Sequence, residues 1–224
     1  ATKSIDDWAR GYVGAVYAGK LMGTYGDGAF KARQNLTRAE CVSGLYNAAA
    51  SLSGPKGDDY TVTTSSYKPA SLTTIRNLTV RYAGEVELEN LIVTGNVYID
   101  SPVKDRTVTF KNCQLYGRLD MDYGSLVLDG VTLDSLYCDG TSTRRTVTLK
   151  NATTVSRAYT NRSITVDQTG LNASAAGIAN LTVGDSNTAT TVLKGVFPQV
   201  SVGRSSQSII LAGGTIKNMD CDYD

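Results

Sequence analysis

The sequence predicts a mostly β protein, namely a right-handed parallel β-helix of about seven coils preceded by a short helical unit. From about residue 71 onward, short runs of alternating apolar and polar residues recur roughly every 20 residues, which is typical of a β-solenoid. Most runs are followed by a turn that contains Asn or Gly. The first 50 residues instead carry apolar side chains at helical spacing. We therefore expect a helical unit over residues 1–50, a linker over 51–70 and the β-helix over 71–224.

A first helix is predicted close to the N-terminus, where Asp6 or Asp7 can accept the free N–H groups of the first turn. The helix should end at Gly19, because the segment from Gly19 to Gly28 holds four glycines and an Asp-Gly pair. Its apolar side carries residues at the i, i+4, i+7 and i+8 positions, which are Trp8, Tyr12, Ala15 and Val16.

A second helix is predicted to begin at a capping box. The side chain of Thr37 can accept the N–H of Glu40, whose carboxylate reaches back to the N–H of Thr37. The helix should end in the Ser-, Gly- and Pro-containing segment from Ser51 to Lys56. Its buried stripe would consist of Cys41, Val42, Leu45, Ala48 and Ala49.

The order of helix, Gly23–Gly28 loop and Thr-Arg-Ala-Glu box resembles one motif of the S-layer homology (SLH) family, which usually fastens exported bacterial proteins to cell-wall polysaccharide. The resemblance implies that Arg38, Asp27 and Gly28 bind wall glycan. Two aromatic residues, Trp8 and Tyr25, would offer flat apolar faces to a sugar ring. The alternative is that the aromatic residues are core, Asp27-Gly28 is a turn and Glu40 is only a cap.

This chain departs from the family pattern in two places. Family motifs often have a proline after the Phe-Lys pair, where this chain has Ala32. They also commonly occur in threes, and one copy is visible here. The SLH-like unit could therefore serve as a structural cap of the solenoid that no longer binds glycan.

The composition of the chain argues against several classes of function. The net charge of +1 argues against a nucleic-acid-binding surface, and no run approaches the ~20 apolar residues of a membrane span. The chain contains no histidine, which is the commonest general base and zinc ligand. Because no catalytic motif is recognisable either, we expect a protein that is not an enzyme. Ala1 stands directly before folded-looking sequence, as in an exported protein after signal cleavage.

The solenoid runs end in seven apolar anchor positions that lie 17 to 27 residues apart. These anchors are Leu88, Phe110, Leu128, Leu149, Val166, Leu193 and Leu211. Six are followed by a dipeptide that suits a left-handed corner. The six dipeptides are Glu89-Asn90, Lys111-Asn112, Asp129-Gly130, Lys150-Asn151, Lys194-Gly195 and Ala212-Gly213. The long interval before Leu193 predicts an inserted loop or an extra partial coil.

The four cysteines show no metal-like or C-x-x-C spacing. We expect them to be free and largely buried. Cys138 and Cys221 both lie ten residues after their anchors. This spacing places them in one inward column, about four coils apart and too distant for a disulfide.

Several aspartates share a similar distance from their anchors and predict an acidic column. They are Asp100, Asp120, Asp122, Asp139, Asp220 and Asp222. If Asp120, Asp122 and Asp139 converge, they could bind calcium, the only cofactor considered, or a sugar; otherwise they are solvated turn residues. Arg144, Arg145 and Arg157 show no obvious partner in the sequence.

Three functional hypotheses follow. The first is an exported, non-catalytic surface protein whose SLH-like unit associates with cell-wall polysaccharide and whose β-helix is a display or adhesion rod. The second is a carbohydrate-active β-helix, either a polysaccharide lyase or hydrolase or a lectin. In the third, the SLH-like unit only caps the solenoid.

Because a β-helix exposes its bore and strand edges at its ends, homo-oligomerisation through the solenoid end or the SLH-like unit is a further expectation. The C-terminal end would be covered by another copy, further sequence or crystal neighbours.

Overall fold

The structure is a computed structural model, which describes Val13 and residues 57–100, 105–139, 145–184, 189–203 and 208–221. The chain divides into two compact units, Ala1–Gly54 and Pro55–Asp224. Apart from Val13, the predicted helices of residues 1–50 lie outside the described residues. The second unit is a parallel β-solenoid of about 8 turns, which confirms the predicted fold class.

The described part of the second unit contains seventeen strands. They are β1 (Tyr60–Val62), β2 (Ser66–Tyr67), β3 (Thr73–Ile75), β4 (Leu78–Val80), β5 (Val86–Glu89), β6 (Leu91–Val93), β7 (Val97–Ile99), β8 (Thr107–Lys111), β9 (Gln114–Met121), β10 (Ser125–Asp129), β11 (Thr132–Cys138), β12 (Arg145–Asn151), β13 (Thr154–Thr160), β14 (Ile164–Leu171), β15 (Gly177–Val183), β16 (Thr190–Val202) and β17 (Ser208–Cys221).

Strands of successive coils pair in parallel, one above the other. The first strand of each coil follows the ladder β2, β5, β8, β10, β12, β14 and β16, and the second follows β3, β6, β9, β11, β13, β15 and β16. A third ladder runs through β1, β4, β7 and the end of β9, where the second and third strands of a coil merge. Strand β17 pairs with β16 along almost its whole length.

Alternating side chains of these strands point into one apolar bore. Leu88 pairs with Phe110, Phe110 with Leu128, and Leu128 with Leu149, and all four side chains are fully buried. The run-ending residues that the sequence marks as anchors are therefore the stacked core of these coils. Burial of such apolar surface is the main favourable contribution to folding.

The solenoid begins earlier than the sequence suggests. Strands β1 and β2 lie inside the segment 51–70, where a linker is expected, and pair with β4 and β5. Tyr67 stands opposite Leu88, so it adds an eighth anchor position to the seven predicted. Its ring stacks on that of Tyr60, with centroids 4.4 Å apart. Strands of only two or three residues are hard to recognise among Ser, Thr, Gly and Pro, because those residues also favour turns.

The predicted corners are confirmed. Positive φ angles occur at the second residue of each of the six turn dipeptides, which are Asn90, Asn112, Gly130, Asn151, Gly195 and Gly213. Side-chain amides also link the corners of neighbouring coils. The Nδ2 of Asn112 donates to the Oδ1 of Asn90 at 2.7 Å, and the Nδ2 of Asn151 donates to Asp129 at 2.5 Å. Asparagine therefore sets the corner conformation and also bonds one coil to the next.

One predicted anchor is misplaced. Val166 pairs with Val147, and not with Leu149. A bulge places both Gln168 and Thr169 opposite Leu149, and the side chain of Gln168 is buried at this point of the bore. Its Oε1 accepts the N–H of Ile178 at 2.7 Å, and its Nε2 donates to the carbonyl of Val196 at 3.1 Å. A polar residue can replace an apolar anchor here because its amide is hydrogen-bonded on both sides.

In its described residues, 167–184 and 189–192, the long interval before Leu193 contains no extra partial coil. Strand β15 is the regular second strand of its coil, since Val155 of β13 pairs with Ile178. The additional residues lie in connections such as residues 172–176, between β14 and β15. The loop alternative is therefore the correct one for the described residues.

The last described coil is exposed. Leu211 pairs with the fully buried Leu193 but is itself 44% exposed. Ile210 and Met219 are also exposed, because no described strand stacks on the outer edge of β17. What covers this edge, including the expected second copy, stays a prediction.

The cysteine column is confirmed, but not the burial of every member. Register places Cys138, Thr160, Val183, Val202 and Cys221 at one position on successive coils. Cys138 and Cys113 are free and buried, whereas Cys221 is free and exposed. The expectation of burial is wrong for Cys221, because its strand is the last one described. Cys41 lies outside the described residues.

Thiol labelling should separate these cysteines. A maleimide is expected to modify Cys221 in the native protein and to spare Cys113 and Cys138, because burial raises their thiol pKa to about 11 and about 12 and the thiolate is the reactive form. Peptide mapping by mass spectrometry before and after denaturation would measure this, with Cys41 scored separately. Equal native labelling of Cys138 and Cys221 would contradict the register.

Candidate functional site

The glycan site implied by the SLH resemblance cannot be placed in this structure. Its residues Trp8, Tyr25, Asp27, Gly28 and Arg38 all lie outside the described residues.

The acidic column is only partly brought together. Ile99 pairs with Met121, and Tyr137 pairs with Asp120. Continued by one residue beyond the first pair and by two residues beyond the second, this register puts Asp100, Asp122 and Asp139 at one position on three successive coils. Asp120 lies two residues before Asp122, and belongs to the neighbouring outward column.

Arginines accompany the carboxylates of Asp100, Asp120 and Asp139. Both oxygens of Asp120 bond to Arg118, at 2.8 and 2.9 Å, and the Asp120 side chain is only 14% exposed. The carboxylate of Asp139 lies 3.9 Å from the guanidinium of Arg162. At the lower end of the column, Asp100 bonds to Arg81 at 2.6 Å. The column is thus internally charge-compensated rather than purely acidic.

A buried arginine completes this arrangement. Arg145 is 1% exposed, donates to the carbonyl of Met121 at 2.6 Å and also donates to the carbonyl of Asp122. Burial lowers the pKa of its guanidinium, and the nearby charge of Asp122 opposes that shift. The Nε of Arg145 has no hydrogen-bond partner among the described residues.

The sequence contained a signal for this residue. Arg145 stands two positions before the inward Val147 in an alternating run, so the period of two places it inside. Arg157, which also appeared unpartnered, donates to Asp134 at 2.8 Å. Arg144 lies outside the described residues.

A metal centre has no geometric support in the described part of the chain. No group of three or more Cys, Asp or Glu side chains there has an arrangement that could hold a metal ion. Calcium binding by Asp120, Asp122 and Asp139 stays a prediction, and it would require displacement of Arg118 from the carboxylate of Asp120.

A second feature of the surface was not predicted, namely a column of tyrosines. Register places Tyr98, Asp120, Tyr137 and Tyr159 at one outward position on four successive coils. The rings of Tyr137 and Tyr159 are stacked, with centroids 4.5 Å apart and planes 16° from parallel. The guanidinium of Arg118 covers the Tyr137 ring at 5.0 Å. We call these five residues the tyrosine–arginine patch.

A column of polar side chains runs beside the patch. Register places Arg118, Ser135, Arg157, Asn180, Gln199 and Asn218 at one position on successive coils. The column begins with Asn77 and Asn96, whose Oδ1 atoms accept the N–H groups of Asn96 and Arg118 at 2.9 and 3.0 Å. These bonds fix the side chains at the edge of the patch.

Charged groups on another face are paired in the same way. Glu87 lies between Lys68 and Lys111 and forms ion pairs with both. Hydrogen bonds donated by Lys111, which has the larger effect, and by Lys68 lower the pKa of Glu87 to about 2. At these places, the described surface therefore carries several ion pairs and no large excess of positive or negative charge.

Comparison with known proteins identifies the first unit. Residues 2–41 match the S-layer homology domain. The chain therefore joins an S-layer homology domain to a β-solenoid. S-layer homology domains bind cell-wall polysaccharides, and the match indicates a cell-wall-associated protein of the cell surface.

No curated protein and no solved structure matches the chain. In the described residues, no helix is sufficiently long and apolar to cross a membrane.

Proposed function

We propose that this chain is an exported, non-catalytic surface protein, which its S-layer homology domain attaches to cell-wall polysaccharide and whose β-solenoid is a display or adhesion rod. The observation that carries the proposal is the family match over residues 2–41. About 8 turns stacked at ~4.8 Å give the solenoid unit a length of roughly 40 Å.

Two further observations support a non-catalytic rod. The chain has no histidine. On the solenoid, the carboxylates of Asp120 and Asp134 are bonded to arginines, whereas glycoside hydrolysis uses two carboxylates that face the scissile bond. The alternative of a polysaccharide lyase or hydrolase therefore gains no support from these residues.

Glycan attachment is assigned to Arg38. The sequence predicts that Arg38 occupies the first helical position after a Thr37 cap, where free N–H groups and the helix dipole would favour an anion. A guanidinium adds a planar pair of donors for a carboxylate substituent of a wall polysaccharide. Asp27 and Gly28 would form the adjoining loop of the site.

Substitution of Arg38 tests this assignment. Arg38→Ala is expected to lower co-sedimentation with purified wall sacculi severalfold and to leave the melting temperature almost unchanged, because the substitution leaves both residues of the predicted capping box, Thr37 and Glu40, in place. Arg33→Ala, in the same unit but outside the box, is the matched control and should bind like the parent.

The other outcomes distinguish the alternatives. Equal binding by Arg38→Ala and the parent would favour a domain that only caps the solenoid. Loss of both binding and thermal stability would show that Arg38 belongs to the fold rather than to a site.

A further inference from the structure

We propose that the tyrosine–arginine patch is a second glycan site, on the rod itself, which binds a linear uncharged polysaccharide lying along the solenoid axis. The choice of a glycan as ligand rests on the proposed function, since a wall-attached rod is surrounded by polysaccharide. The geometry of the patch gives independent reasons, which concern its aromatic groups, its periodicity and its charge.

The aromatic residues of the patch are tyrosines, which are enriched at binding surfaces. Tyr98 is 41% exposed, although a tyrosine ring carries a large apolar area. The half-buried Tyr137 and Tyr159 stack on each other at about the spacing of the coils, so their ring faces lie against neighbours and the ring edges remain for a ligand. Tyrosine and arginine are also enriched among the residues that contribute most to affinity in protein interfaces.

The patch is periodic along the solenoid axis. Its residues lie on successive parallel strands, so equivalent positions recur at intervals of ~4.8 Å, and three of the four in the column are tyrosines. A polymer of repeating units can make similar contacts along such a row, whereas most folded protein partners have no matching period. This periodicity favours a chain that runs parallel to the axis.

The polar groups are held in place before any ligand binds. Arg118 is fixed by two hydrogen bonds to Asp120 and by the ring of Tyr137. The Nδ2 of Asn96 donates to the hydroxyl of Tyr98 at 3.1 Å. Hydroxyl groups of a sugar can bond to the exposed donors of Arg118 and to the phenolic oxygens. Because these side chains are already ordered, little conformational entropy is lost on binding.

The charge of the patch selects an uncharged ligand. Arg118 is neutralised by Asp120, and the adjoining Arg157 is neutralised by Asp134. A nucleic acid or a polyanionic glycan would require an excess of cationic side chains. The S-layer homology domain, through Arg38, and the patch would therefore bind glycans of different charge.

The test uses the full chain and two soluble, uncharged, linear probes, the hexamers of N-acetylglucosamine and of β-1,4-glucose. Isothermal titration calorimetry should detect weak binding of at least one hexamer. Tyr98→Ala is expected to weaken that binding about tenfold. Tyr116→Ala is the matched control, because Tyr116 is 59% exposed but lies outside the patch column, and it should bind like the parent. Melting temperatures of both variants check that the solenoid is intact.

Several results would overturn the proposal. They are absence of binding by both hexamers, equal weakening by Tyr98→Ala and Tyr116→Ala, and binding of an acidic probe such as polygalacturonate in place of the uncharged ones. A protein partner whose binding depends on Tyr98 would also overturn the proposal, because the ligand of the patch would then be a protein and not a glycan. The Arg38→Ala variant distinguishes the two sites. If the patch acts independently, this variant should bind sacculi severalfold less than the parent and should bind the hexamer equally well.

Discussion

Leu193→Ala is expected to lower the free energy of unfolding of the solenoid by about 2–5 kcal/mol. Leu193 is fully buried and stands between Val166 of the preceding coil and Leu211 of the following one. Truncation removes apolar contacts on both sides and leaves a cavity that two paired neighbouring strands cannot readily close. Urea unfolding followed by circular dichroism would measure the change.

Leu211→Ala is the matched control for this experiment. It removes the same atoms from the register partner one coil later, but Leu211 is 44% exposed. The expected loss is at most about 1 kcal/mol, because much of the side chain is already in water. Equal losses for the two variants would mean that the edge of β17 is covered in solution, and would support an associated form of the protein.

Gln168→Leu is expected to destabilise the protein by about 2–4 kcal/mol, although it replaces a polar core residue by an apolar one of similar size. The variant would leave the buried N–H of Ile178 and the carbonyl of Val196 without the bonds that Gln168 provides. An unsatisfied buried group costs about 1–3 kcal/mol. The measurement is again the midpoint and slope of urea unfolding.

The control for this substitution is Gln199→Leu. Gln199 is on the outward face, in register with Asn180 and Asn218, and its replacement should change stability by no more than about 0.5 kcal/mol. A Gln168→Leu variant as stable as the parent would show that apolar contact at this bulge compensates for the two lost hydrogen bonds.

The corners and the apolar ladder could be predicted from sequence because both depend on short-range properties. Asn90, Asn112 and Asn151 adopt positive φ, which asparagine and glycine tolerate wherever a chain turns sharply. Likewise, a period of two decides which side of a strand faces the bore. Neither inference needs knowledge of the partner coil.

The features that were not predicted depend on contacts between coils. Whether Gln168 occupies a core position is decided by the bulge opposite Leu149 and by acceptors and donors on other strands. The exposure of Cys221 depends on whether another strand lies above it, which its own sequence neighbourhood does not state. The first two strands are too short to show a period.

On the solenoid surface, the sequence indicates individual charged residues but not which of them form ion pairs with each other. Asp134 and Arg157 are 23 residues apart, and their contact follows from the register of β11 on β13. A shift of one residue would send one of them to the opposite face. The column of tyrosines could not be predicted for the same reason, since Tyr98, Tyr137 and Tyr159 line up only after the coils are stacked.

In-register pairing of successive coils has a consequence for the evolution of the rod. The strand pairings join each coil to the coil before it and the coil after it, so duplication or deletion of one complete coil would create a junction similar to those already present. Such an event would change the length of the solenoid in steps of ~4.8 Å. Length could thus be selected without any change in the S-layer homology domain.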